Sequence, residues 1–159
     1  MINVTIIEVL EHLIAYLNTL AVGDYSDLVN NVYTEENEDL DIKNKKMFIS
    51  IKYEEDPQPC EGGDTIRRSV LLLILRLGYT CDSKATTGEK RKAMLFKDYI
   101  VTRLRSTQFR QYMTSRGIEY NPGKFMDRVW PDPFNADSES LRIYYIRMRL
   151  ITYIENYIV

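Results

Sequence analysis

Ile66-Arg67-Arg68-Ser69-Val70-Leu71-Leu72-Leu73-Ile74-Leu75-Arg76-Leu77-Gly78-Tyr79 holds the longest apolar run of this 159-residue chain, and its reading decides the fold. Leu is a good helix former, and Asp64 ahead of the stretch and Gly78 near its end resemble helix caps. Ile, Val and Tyr, together with the strand and turn pattern upstream, favour a strand buried on both faces. The strand is the reading adopted, with a helix as the open alternative. The run from Val70 to Leu75 is far shorter than the roughly 20 residues of a membrane-spanning helix, so no membrane partner is expected.

Upstream, Met47, Ile49, Ile51 and Tyr53 alternate with Phe48, Ser50 and Lys52, which is strand periodicity. Glu54 to Gly63, with Pro57, Pro59, Gly62 and Gly63, reads as a hairpin-type connection longer than a tight turn. Residues 23–46 read as a long, polar loop whose acidic run is Glu35, Glu36, Glu38, Asp39 and Asp41. Before it, Thr5 and Glu8 form a capping box, and Ile6, Leu10, Leu13, Ile14, Leu17 and Leu20 make one apolar stripe of an amphipathic helix ending near Gly23.

Downstream, a loop from Thr80 to Gly88 leads to a helix with Ala93, Phe96, Ile100 and Leu104 on its inner face. After a break the helix continues through Phe109 and Tyr112 to Gly117. Asn121-Pro122-Gly123 is a turn signal, Met126 to Trp130 a short strand, and Pro131 to Ser140 a loop. Leu141 to about Tyr153 reads as a long strand with Tyr144, Ile146, Met148 and Leu150 on one face and Arg147 and Arg149 on the other, a helix being the alternative. The sum is one α+β domain spanning 1–159: an antiparallel sheet of about four strands with helices packed on one face.

Charge is unevenly divided. Residues 1–80 carry 7 basic and 14 acidic side chains and residues 81–159 carry 14 and 9, so −7 and +5 make the net −2. Such asymmetry suits contact with nucleic acid through the basic half, or between copies with opposite charges facing. Twelve Tyr with few Gly and Pro fit strands and interfaces better than a cofactor cradle. No signal peptide is apparent, because Glu8, Glu11 and His12 interrupt the first apolar stretch, and a soluble protein made in a cytoplasm is expected. Cys60 and Cys81 flank a segment about 50 Å long as a strand or about 25 Å as a helix, so both read as free thiols.

The residues offer little for catalysis. His12 is the chain's single His, a metal would need two ligands beyond Cys60 and Cys81, and Gly88-Glu89-Lys90 lacks the upstream Gly and the hydroxyl of a phosphate loop. No catalytic residue, cofactor or metal is expected. The helix from Lys90 to Arg116 carries enough cations to lie on phosphates, which gives a nucleic-acid-binding module as the alternative function. Arg67, Arg68, Arg147 and Arg149 stand inside strands and need a partner or an opening. Trp130 and Phe134 sit on a proline-stiffened segment as core or interface anchors. These six are the candidate interface or channel residues.

In element order and length, over nearly the whole chain, the sequence resembles the phage tail terminator and related head-to-tail connector proteins. The likeness rests on the capped helix at Thr5 to Leu20, strands at Met47 to Tyr53 and Thr65 to Tyr79, the helix from Glu89, and a closing strand at Leu141 to Tyr153 after a proline-bearing loop. The acidic loop at 34–41 and the tail to Val159 depart from that pattern. The resemblance implies a non-enzymatic virion protein, a ring of six or twelve copies at the head-tail junction or the top of the tail. Its neighbours would be portal, connector or tail proteins, with DNA passing through the channel without sequence-specific binding.

Overall fold

The computed structural model describes residues 4–35, 45–59, 66–81, 87–133 and 140–155. Helix α1, Ile6–Thr19, begins where Thr5 Oγ1 accepts a hydrogen bond from the Glu8 amide at 3.2 Å, half of the expected capping box. A 3-10 turn, Gly23–Leu28, starts at a left-handed Gly23 and leads into β1, Val32–Thr34. Then come β2, Met47–Pro59, and β3, Ile66–Thr80, followed by α2, Thr87–Leu104, and α3, Thr107–Thr114. The chain closes with β4, Ile118–Glu119, the helical turn α4, Pro122–Phe125, β5, Met126–Pro131, and β6, Leu141–Glu155.

The Leu-rich stretch from Ile66 is the centre of the sheet. β3 pairs antiparallel with β2 from Met47↔Tyr79 to Pro59↔Arg67 and with β6 from Thr80↔Leu141 to Ile66↔Glu155. Flanked on both sides, it satisfies its backbone along its whole length, which is why a run rich in Leu settles as a strand. The sheet order is β1-β2-β3-β6-β4, with β5 also on β6. β1 joins β2 in parallel; the other pairings are antiparallel.

Three expectations need correction. The sheet has six strands rather than about four, the extra two being β1 and β4. Residues 23–46 are not one loop, since they contain the 3-10 turn and β1; of the acidic run, Glu35 is exposed and residues 36–44 lie outside the described residues. β2 also continues past Tyr53 to Pro59. There β1 no longer accompanies it, pairing only Ile49 to Ile51, so among the described residues Pro57 and Pro59 sit on an edge where their missing N–H groups cost nothing to a neighbour.

One face of the sheet builds the core. Ile49 and Ile51, Leu71 to Leu77 at alternate positions, and Ile146, Met148 and Leu150 are buried against Leu13 and Leu17 of α1, Phe96 and Ile100 of α2, and Phe109 and Met113 of α3. Tyrosines fasten the helices together: Tyr99 Oη donates to the Leu20 carbonyl at 2.8 Å and Tyr112 Oη to that of His12 at 3.1 Å. The break between α2 and α3 is built by Ser106, whose Oγ accepts from the Phe109 amide and donates to the Arg103 carbonyl. Cys81 is buried, and Cys60 lies outside the described residues.

Candidate functional site

The helices α1, α2 and α3 take one face of the sheet, and among the described residues the other is dressed by its own strand side chains. Directly paired residues share a face, so the register lays this open surface out in rows. Phe48, Gly78 and Ile143 make one row; Ser50, Arg76, Tyr145 and Trp130 the next; then Lys52, Ile74 and Arg147; then Glu54, Leu72 and Arg149.

The first two rows form a ladder of rings and cations. Tyr33 stacks on Phe48 with centroids 6.3 Å apart, Arg76 lies 5.5 Å over the Phe48 ring, Trp130 stacks on Tyr145 at 5.3 Å, and Arg128 caps Trp130 at 4.6 Å. Phe48 is fully buried although it faces away from the helices, because it lies across the bare backbone of Gly78. Burial, and then a 2.7 Å hydrogen bond to Asp132, push the Tyr145 phenol above its usual range.

The next two rows are more open and enclose a groove of 470 Å³. Its floor is Leu72, 37% exposed, and Ile74; Lys52 and Glu54 form one wall, Arg147 and Arg149 the other. A register shift in β5 between Met126 and Arg128 brings Asp127 to the rim. There its carboxylate accepts from Arg147 through both oxygens, Nε at 3.0 Å and Nη2 at 3.0 Å, and this hydrogen bonding holds Asp127 below the usual carboxylate range. Arg149 donates to the Lys124 carbonyl at 3.1 Å, while its Nε is buried with no hydrogen-bond partner among the described residues.

Of the residues singled out in the sequence, Arg68, Arg147, Arg149 and Trp130 reach this one face. Arg67 occupies the β3 position between Pro59 and Ile154, with its side chain outside the described residues, and Phe134 lies wholly outside them. Sequence pattern did not single out Lys52, Arg76, Asp127 or Tyr145 as site residues. Arg76 and Lys52 carried the same signal as Arg147, a cation inside a strand; Asp127 depends on the irregularity of β5 and had none.

The other candidates go elsewhere. His12 is half-buried in α1. On α2, Lys92 pairs with Glu89 at 2.9 Å, and Lys97 and Arg103 lie over the rings of Tyr144 and Tyr99 at 5.7 and 5.4 Å. Among the described residues no group of three or more His, Cys, Asp or Glu side chains could hold a metal, and no helix is long and apolar enough to cross a membrane. Compared with known proteins, the chain matches no family model and no curated protein.

Proposed function

We propose that this chain is a structural, non-enzymatic subunit that assembles with copies of itself into a ring of six or twelve around a DNA channel, with the tail-terminator-like fold its sequence resembles. The proposed place is the head-tail junction or the top of the tail of a virion assembled in the host cytoplasm. Portal, connector or tail proteins are its proposed neighbours above and below.

The observation that carries this reading is the one-sided packing of the sheet. Among the described residues the six strands are covered by helices on one face, while the other presents Leu72 and Ile74 among exposed and half-exposed Lys, Arg, Asp and Glu side chains. A floor of that kind gains stability from a partner surface that removes its apolar part from water and supplies carboxylates at the margin. Identical subunits related by a closing rotation provide such a surface at every position of a ring. The cations then serve contact between subunits or line the passage for DNA, whose backbone they attract without reading bases.

Negative-stain electron microscopy of the purified protein at high concentration tests this. Annular particles of six or twelve units with an open centre are expected. Single particles of one subunit's size throughout would overturn it.

A further inference from the structure

The described N-terminal segment carries only acidic charge. The first Lys or Arg in the sequence is Lys43, so the described segment 4–35 contains none. In it Glu8, Glu11, Asp24, Asp27 and Glu35 are all exposed. On α1 the two glutamates stand beside Ile7, which is 69% exposed, and exposed Ala15 continues the same strip at a spacing of four from Glu11. Thus the outward side of α1 is an apolar and acidic strip. It lies in the helical layer, across the sheet from the groove.

The groove is mixed but cationic by one charge, with Lys52, Arg147 and Arg149 against Glu54 and Asp127. It has an apolar floor, Leu72 and Ile74, beside Arg147 and Arg149, which are two residues apart on β6 and so about 6.6 Å from each other along the strand. Glu8 and Glu11, three apart on a helix, have Cβ atoms about 5–6 Å from each other. The two carboxylates thus have about the spacing of the two arginines; Arg147 is already held by Asp127, so Arg149 and the exposed Lys52 are the cations left for them.

We propose that the open-face groove of one copy receives the outer side of α1 from a second copy. The inference rests on the self-assembly reading above and adds to it the two surfaces and their polarity. The contact is heterologous, joining the sheet side of one subunit to the helix side of the next, so each subunit has one donor and one acceptor surface and the assembly extends until it closes. Salt weakens it, because the outer charges remain within reach of solvent ions.

Charge reversal tests the pairing. Glu11→Arg and Arg149→Glu should each weaken self-association about 30-fold or more, the cost of a broken charge pair at an interface. An equimolar mixture of the two variants should reassemble, since each junction then joins opposite charges again, and so should the double variant alone. Sedimentation velocity reads the association; far-UV circular dichroism checks that each variant is folded. Should Arg149→Glu fail to fold, Lys52→Glu, at an exposed position on the other wall, replaces it with weakening expected and rescue by Glu11→Arg. If the wild type assembles and folded variants assemble equally well, or if the mixture stays dissociated, this docking is wrong while the ring reading stands. If the wild type itself never assembles, the ring reading fails and the docking with it.

Discussion

Replacing Gly78 with Ala tests the most specific packing feature of the open sheet face. A Cβ built on Gly78 falls 2.0 Å from Cε1 of Phe48 and 2.2 Å from its Cζ, well inside contact distance. The ring cannot simply turn away, because Phe48 is fully buried, with Tyr33 stacked on it and Arg76 over its face. At an unobstructed strand position, Gly to Ala would stabilise by roughly 0.5–1 kcal/mol through lost chain entropy. Overpacking typically costs about 1–3 kcal/mol, and here it falls on an aromatic ring rather than a flexible chain end, so the upper part of that range applies. The net expectation is a loss of about 1–2 kcal/mol, read as a lower urea midpoint with an unchanged slope. Phe48→Val removes the three ring atoms that obstruct the new methyl group. In that background Gly78→Ala should be neutral or stabilising, a non-additivity that a double-mutant cycle measures. An unchanged or raised midpoint for Gly78→Ala alone would refute the reasoning.

Two further substitutions probe buried and paired polar groups. Tyr120 is 2% exposed, its hydroxyl has no hydrogen-bond partner among the described residues, and burial pushes its phenol well above the ordinary value of 10.0. Tyr120→Phe should therefore raise stability at pH 7 by about 1 kcal/mol, measured by urea unfolding. Because the folded form resists ionisation more than the unfolded form, stability is full below pH 10.0 and falls as pH rises through and beyond it. Tyr120→Phe should blunt that alkaline decline; an identical decline in both proteins would contradict this account. For the exposed Asp127–Arg147 pair, Asp127→Asn should lower the urea midpoint only slightly at pH 7, because solvent screens the pair. Its depressed carboxylate contributes stability above the unfolded-state range and loses it as pH falls, so the variant should show a shallower acid-side decline in urea midpoint.

The sequence discloses those parts of the fold that local pattern decides. β6 is long and alternates where one side is wet, which is why periodicity sets Arg147 and Arg149 opposite Ile146 and Met148, whereas the unbroken apolar run of β3 left strand and helix both open. The inner face of α2 was legible for the same reason, with Ala93, Phe96, Ile100 and Leu104 all buried. β1 and β4 were not, being three and two residues long: Val32 to Thr34 becomes a strand because β2 pairs with it, a non-local cause. The charged, proline-bearing half of β2 was hidden likewise, since only an edge position makes Pro57 acceptable. Of the candidate site, the cations could be read as strand residues needing partners. Their gathering beside Leu72 and Ile74 depends on the registers of three strands, and Asp127 arrives only through a shift in β5.

The central claim is self-assembly, and the mass of the purified protein in solution tests it most directly. Light scattering across a concentration series at low salt should give one discrete species of six or twelve times the 18.7 kDa chain. A mass of one chain at every concentration would contradict the account.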